Sequence, residues 1–252
     1  HVVRFGCPSC CQTALMHTSL ETLLAPGLTH DLVRRMELLP QLLRRQEEEA
    51  ITDLVNLPAD WLHERCSAFL GNQDLDSVLA ARQWSRQDLD LHLARPEALR
   101  RFALQRFGPG LDELFLSAGG GHDQIVYSLL RVRDAAVAQE LWIRLEEGET
   151  TFAEAASAYS EGPEAARKGV IGPIAMGQLQ PPQLADLLRS LQPGALHPPS
   201  QLGEWFVLLR LEQLTPARFD ETMQEFLLNQ ELNRFLEDRV QRRLAEETLE
   251  AL

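Results

Sequence analysis

The segment TFAEAASAYSEGPEAARKGVIG, residues 151–172, joins a short helix to a loop with several glycines. Thr151 predicts the start of the helix, because a threonine there accepts hydrogen bonds from the first unpaired backbone N–H groups. The alanine-rich stretch 152–159 favours the helix itself. Gly162 and Gly172 bound the loop that follows. The segment therefore predicts a helix–loop unit, and the flanking elements decide its fold class.

Strand and helix patterns flank this unit on both sides. Residues 125–132, IVYSLLRV, are rich in β-branched and aromatic residues and predict a strand. Asp134 predicts the N-cap of a helix that runs to Glu147. After the loop, Pro181 and Pro182 precede a short helix, and residues 205–211, WFVLLRL, predict a final strand. Strands, helices and a short strand in this order predict a small α+β domain.

Residues 20–118 are predicted to form short helices that turn residues separate. Ser85, with Asp88 three residues on, predicts a capping box at the start of one helix. Pro96 predicts the start of the next, because proline suits a first helical turn. Residues 119–121, three glycines, predict a linker to the α+β domain.

The C-terminal segment, 215–252, predicts one long amphipathic helix or two broken ones. Its apolar face is wide and needs a partner. Packed on residues 20–118, it completes an all-α domain into which the α+β domain, 122–214, is inserted. A helix that dimerises is the alternative. Residues 1–19 are expected to be a disordered extension.

The segment from 125 to 212 resembles the parvulin family of peptidyl-prolyl cis–trans isomerases. The resemblance implies a parvulin-like small antiparallel sheet with helices. The flanking helices resemble the chaperone domain of SurA- and PrsA-type foldases. The landmarks that follow one another in the family's order are Phe152-Ala153-Glu154-Ala155-Ala156, Tyr159-Ser160, Lys168-Gly169-Val170-Ile171-Gly172, Gly177-Gln178-Leu179 and Leu191-Gln192-Pro193-Gly194.

The resemblance also implies where a site lies. Parvulins place two histidines and a Cys or Asp beside an apolar proline pocket. The family's first-strand histidine falls on Ser128, which is therefore the candidate catalytic residue. Its Cys or Asp falls on Gly162, and its last-strand histidine falls on Phe206. Val170 replaces an aspartate of the family's loop motif. The family's polar cluster is thus missing, and the site is degenerate. The residues expected to bind substrate are Leu179, Gln183, Phe206, Gly162 and Ile174.

Two functions follow from the resemblance. In the first, the chain is a peptidyl-prolyl isomerase and folding factor that binds proline-containing or unfolded polypeptide. In the second, it is a catalytically inactive, parvulin-fold chaperone that binds peptide only. A third possibility is an adaptor whose C-terminal helix binds one fixed partner.

Composition limits the other functions. The 252 residues include 24 basic and 37 acidic side chains, a net charge of −13, which argues against nucleic-acid binding. No apolar stretch is long enough to span a membrane. Cys7 and Cys10 form a Cys-x-x-Cys, but no second ligand pair has zinc spacing, so neither metal nor cofactor is expected. We expect a monomer. Without a signal-peptide pattern the expected compartment is the cytoplasm, although a segment upstream of His1 would change that.

Overall fold

A computed structural model describes residues 32–250, with only the backbone for the last five. The predicted extension at 1–19, including Cys7 and Cys10, and the start of the predicted helical domain at residue 20 lie outside the described residues. The chain divides into two compact units. Within the described residues, unit 1 is 32–103 with 231–250, and unit 2 is 104–230.

Unit 1 is helical. Its Ser85–Asp88 capping box is present: the Ser85 backbone N–H donates to Asp88 Oδ2 (2.7 Å), and the Asp88 N–H donates to Ser85 Oγ (3.2 Å). The helices that lie in it or run into it are α1 (Leu39–Leu54), α2 (Ala59–Leu70), α3 (Leu75–Arg82), α4 (Arg86–Phe107) and α9 (Glu221–Glu250).

Pro96 does not begin a helix, as the sequence predicted, but lies inside the continuous helix α4. A proline in a helix interior removes one hydrogen bond and costs about 3 kcal/mol. Leu89 and Ala98, on either side of it, are fully buried. Packing of these flanking residues in one continuous helix therefore outweighs the local cost of the proline.

Within unit 1, the C-terminal part of α9 packs against α1 and α4. Glu47 of α1 is buried and is paired with Arg239 and with Arg243, the latter at 3.3 Å. The rings of Phe102 and Phe235 lie 5.6 Å apart. A buried carboxylate needs such partners, because an unpaired one would be strongly destabilising.

Unit 2 is the α+β part of the chain. Its four-stranded sheet has the order β2 (Val170–Ala175), β1 (Gln124–Val132), β4 (Trp205–Thr215) and β3 (Leu196–Leu202), and each neighbouring pair of strands is antiparallel. The prediction missed β3, because its two prolines, Pro198 and Pro199, argue against a strand; they suit an edge strand. The elements are α5 (Leu111–Ser117), β1 (Gln124–Val132), α6 (Ala135–Glu146), α7 (Phe152–Tyr159), β2 (Val170–Ala175), α8 (Pro182–Arg189), β3 (Leu196–Leu202) and β4 (Trp205–Thr215).

The boundaries of unit 2 are wider than the predicted 122–214. Phe115 of α5 lies 5.4 Å from Phe219 between ring centroids, and the Ala217 backbone N–H donates to Asp123 (2.8 Å). Residues on both sides of the sheet segment therefore belong to the same compact unit. The predicted fold class, a small α+β antiparallel sheet domain within a helical scaffold, is confirmed.

The sheet buries a separate apolar cluster on each face. On the α8 face, side chains of β1 and β4 pack against Leu184 and Leu188 of α8. On the α6–α7 face, Leu130 and Leu208 pack against α6 and α7. Because successive side chains of a strand point to opposite faces, each strand contributes alternate residues to the two clusters.

Candidate functional site

A pocket of about 470 Å³ opens on the α8 face of the sheet. Its volume falls in the range of small-molecule sites, roughly 300–1,000 Å³. Apolar side chains make most of its surface, and three glutamines supply amide groups. It is lined by Tyr127, Leu129, Arg131, Ile171, Gln180, Pro181, Gln183, Leu184, Gln201, Leu202, Gly203, Trp205 and Val207.

Strand alternation decides which residues of β1 and β4 reach this pocket. Tyr127, Leu129 and Arg131 are two residues apart and point to the α8 face. Arg131 pairs with Val207 of β4, which lines the same pocket. The residues between them point to the α6–α7 face.

Ser128, the expected catalytic residue, is one of those intervening residues and lies outside the pocket. Its side chain is 1% exposed, and its hydroxyl donates to Glu212 Oε1. The same oxygen accepts from Arg210 Nε at 2.8 Å. We call Arg210, Glu212 and Ser128 the rear cluster. Ser128 therefore does not line the pocket, because the sheet separates its hydroxyl from it.

Phe206 also lies on the face of the sheet that is opposite the pocket. It is partly buried against the cluster on the α6–α7 face, whereas its neighbours Trp205 and Val207 line the pocket. A shift of one residue in a strand moves a side chain to the other face. The family positions assigned to Ser128 and Phe206 therefore miss the pocket for one common reason.

Three more of the residues that were expected to bind substrate lie in three different places. Gln183 lines the pocket. Leu179 is 3% exposed and belongs to the core cluster of the α8 face, not to the pocket's surface. Ile174 lines a second pocket of about 500 Å³, together with Met223 and Phe226. Of these three residues, only Gln183 lines the pocket of the α8 face.

Gly162 borders a polar cluster that the sequence did not reveal. Arg131 holds the Glu164 carboxylate with two parallel bonds, Nε to Oε1 (2.8 Å) and Nη2 to Oε2 (2.7 Å). Ser160 donates to Oε1 at 2.7 Å. We call Arg131, Glu164 and Ser160 the pocket cluster. A Cβ on Gly162 would overlap both the guanidinium and the carboxylate, so this cluster occupies the space of a side chain there.

Burial and hydrogen bonding set the ionisation of the pocket cluster. Burial opposes the charge of Glu164, but the bonds from Arg131 and Ser160 outweigh it and lower the pKa of the carboxyl below its ordinary value. The bond to Glu164 raises the pKa of Arg131. Burial raises the pKa of the Tyr127 hydroxyl, which the charge of Arg131 only partly offsets. At neutral pH the pocket is therefore lined by a charged Arg131, which is paired with the buried Glu164, and by the neutral phenol of Tyr127.

One signal could have found Arg131: it is the arginine inside the apolar strand pattern of residues 125–132. Nothing in the sequence links it to Glu164, which lies 33 residues further on in the short 3₁₀-helix Pro163–Arg167. In residues 32–245, whose side chains the structure describes, no group of three or more His, Cys, Asp or Glu side chains is placed to hold a metal ion. Over the same residues, no helix has the length and apolarity needed to cross a membrane.

Comparison with protein families gives an independent assignment for this region. Residues 131–213 match the model of the PPIC-type PPIase domain, also called rotamase. This segment is a PPIC-type PPIase domain. The resemblance to the parvulin family is therefore confirmed, and the match covers Arg131, the loop with Glu164, and most of the pocket lining.

Solved structures similar to the chain include parvulin-type foldases. The peptidylprolyl isomerase PrsA of Bacillus anthracis is 17% identical over 82% of this chain and 97% of its own, with a TM-score of 0.48. The foldase PrsA of Streptococcus pneumoniae is 13% identical over 88% and 89%, with a TM-score of 0.43. A SurA-like chaperone of Campylobacter jejuni is 15% identical over 78% and 94%, with a TM-score of 0.36. These identities and scores are too low to transfer a function.

A search of curated proteins found no significant match to the sequence. The assignment of the PPIC-type PPIase domain therefore rests on the family model and on the α+β fold that contains it.

Proposed function

We propose that the PPIC-type PPIase domain binds proline-containing segments of unfolded polypeptide in the pocket of the α8 face and isomerises their X–Pro bonds. One observation carries the proposal: the segment that matches the family model also builds a largely apolar pocket with polar groups at its edge. The apolar lining suits a proline ring, and the glutamines suit the backbone of an extended peptide.

The chemistry needs no covalent step. Rotation about an amide bond has a barrier of roughly 18–20 kcal/mol, because resonance holds the bond planar. Water that donates to the amide oxygen strengthens this resonance. A pocket lined by residues such as Leu129, Ile171 and Val207 excludes that water from the bound amide. It thereby favours the twisted transition state over the planar ground state.

A second candidate is peptide binding without catalysis, as in a holdase chaperone. It is favoured by the fact that none of Ser128, Gly162 and Phe206 brings a polar side chain into the pocket. The two candidates share the same peptide site and differ in whether the transition state is bound more tightly than the ground state.

Ile171 and Ile174 offer a matched test of the site. Both are half-buried residues of β2 that pack on the same core cluster, but Ile171 lines the proposed site and Ile174 lines the second pocket. Isomerisation of short X–Pro peptides is measured for wild type, Ile171→Ala and Ile174→Ala, with peptide Kd by calorimetry. We expect the wild type to accelerate isomerisation. Peptide affinity should be about tenfold weaker in Ile171→Ala and unchanged in Ile174→Ala, because the loss of one apolar group from a binding pocket costs roughly 1–3 kcal/mol of binding free energy.

The outcomes separate the candidates. If peptide binding depends on Ile171 but the protein does not accelerate isomerisation, the binding-only chaperone is supported and the isomerase is contradicted. Equal losses of peptide affinity in Ile171→Ala and Ile174→Ala would mean that this pocket is not the peptide site in either candidate function. If the wild type shows neither binding nor acceleration, the adaptor hypothesis is the one left.

A further inference from the structure

A buried carboxylate holds the guanidinium of Arg131 at the wall of the pocket. The Glu164 side chain is 2% exposed and takes two bonds from Arg131, while the Arg131 side chain is 28% exposed. A guanidinium has five N–H donors, so the two bonds to Glu164 leave three. Bidentate pairing fixes the plane of the group. Arg131 thus presents fixed donors to the pocket space.

Arg131 is the one charged side chain among the described residues that line this pocket. Its Cζ lies 6.0 Å from the ring centroid of Trp205, another lining residue. A charged donor beside apolar walls acts more strongly than it would in water, because the local dielectric constant is lower. Among the residues that line this pocket, Arg131 is therefore the strongest hydrogen-bond donor that a bound amide can meet.

An X–Pro amide offers such a donor a target only while it rotates. In the planar amide, the lone pair of the prolyl nitrogen is delocalised into the carbonyl group, and the nitrogen is a poor acceptor. When the bond twists, the lone pair localises on the nitrogen, which becomes a good acceptor. A donor aimed at the nitrogen therefore stabilises the transition state and leaves the ground state unchanged.

We propose that Arg131 is the catalytic residue of this domain, donating a hydrogen bond to the prolyl nitrogen as the X–Pro bond twists. Glu164 is the positioning residue that holds the guanidinium. This inference rests on the proposed function. It also gives a reason for the glycine at 162, since a side chain there would displace the pair. No proton is transferred, because the guanidinium stays charged throughout.

The test is a paired replacement that removes the donor and keeps the fold. Arg131→Met with Glu164→Leu replaces the ion pair by apolar side chains, a change that is often neutral for stability. The matched control is Arg210→Met with Glu212→Leu, the same substitutions in the rear cluster on the other face of the sheet. Both proteins are compared with wild type by circular dichroism, peptide Kd and isomerisation kcat.

We expect the pocket replacement to lower kcat by about tenfold to 100-fold with Kd changed less than about twofold, because the lost bond exists only in the transition state. The rear replacement should keep kcat within about twofold of wild type. If Arg131 instead donated to the amide oxygen, it would stabilise the planar form. Its removal would then weaken Kd and leave kcat unchanged or higher, which overturns the proposal.

Failure of the inference differs from failure of the proposed function. If the Arg131→Met/Glu164→Leu variant accelerates isomerisation as much as the wild type does, the proposed role of Arg131 is wrong and the proposed isomerase function is still supported. A wild type that does not accelerate isomerisation overturns both. If the double variant does not fold, Arg131→Lys decides: it keeps the charge but loses the bidentate geometry, and an unchanged kcat overturns the proposal.

Glu164→Gln tests the positioning role separately. Glutamine keeps the shape and one acceptor but loses the charge that fixes the guanidinium. We expect kcat to fall by about threefold to tenfold with unchanged peptide Kd, since Arg131 is still present but less well held. A purely structural role for Glu164 would lower Tm and leave the kcat of the folded protein unchanged.

Discussion

The two faces of the sheet carry clusters of the same composition in different surroundings. Each cluster has one arginine, one glutamate and one serine joined by hydrogen bonds. They are the pocket cluster, Arg131, Glu164 and Ser160, and the rear cluster, Arg210, Glu212 and Ser128.

Burial distinguishes the two clusters. The Glu164 side chain is 2% exposed and binds its arginine through both oxygens, whereas Glu212 is 27% exposed and binds through one. A buried, bidentate carboxylate fixes its partner, while a half-exposed pair moves and is screened by water. Identical residue types therefore give a fixed donor beside the pocket and a weak structural contact behind the sheet.

The largest expected difference is in stability. Arg131→Met leaves the buried Glu164 without its partner and should lower the free energy of unfolding by about 3 kcal/mol. Arg210→Met acts on a half-exposed pair and should lower it by less than about 1 kcal/mol. Urea denaturation of the two variants measures both values. Equal losses would mean that the clusters do not differ in the way their burial indicates.

Gly162→Ala tests the space that only the pocket cluster needs. The backbone of Gly162 is extended (φ −103°, ψ 172°), a conformation that alanine adopts without strain. We expect a loss of about 2 kcal/mol, because the new methyl group overlaps Arg131 and Glu164.

The same substitution in an Arg131→Ala/Glu164→Ala background provides the control. With the pair removed, alanine should stabilise the protein by about 0.5 kcal/mol, the usual effect of replacing a glycine in a permissive conformation. An unchanged loss in that background would place the cause in the backbone of the loop rather than in the pair.

Ser128→Ala probes the rear cluster and the original expectation for the site together. The lost bond to Glu212 should lower the free energy of unfolding by about 1 kcal/mol. Isomerisation kcat should stay within about twofold of wild type, since Ser128 faces away from the pocket. A loss of kcat comparable to that of the Arg131 replacement would restore Ser128 as the catalytic candidate.

The smallest expected effect is in the dependence of stability on pH. The folded-state pKa of Glu164 is lowered, so its ion pair contributes stability above the ordinary carboxyl pKa of 4.5 and loses it as pH falls through the folded value. The Tm difference between wild type and Glu164→Gln should therefore be largest at neutral pH and shrink below pH 4.5. Thermal melts at several pH values measure it; a constant difference would mean that the charge of Glu164 contributes nothing.

Sequence patterns were sufficient to predict the fold class and most of the local elements, although they missed β3. Thr151 caps the start of α7, where the sequence predicted a helix, and the Glu154 N–H donates to Thr151 Oγ1 at 3.2 Å. The β-branched and apolar runs form β1 and β4. Such features are decided within a few residues, since caps and strand periodicity depend on near neighbours. Where packing competed with a local preference, at Pro96, the sequence prediction was wrong.

The composition of the candidate site depends on contacts between segments that are distant in the sequence. Strand periodicity defines two sets of alternate residues but not which set faces the pocket, so the sequence could not show that Ser128 and Phe206 face away from it. The Arg131–Glu164 pair joins a strand to a loop 33 residues away, and its bonds arise only after the chain has folded. The same pair explains Gly162, whose missing side chain looks in the sequence like a lost catalytic group. A strand's pattern is local, whereas the contents of a pocket depend on which distant segments meet there.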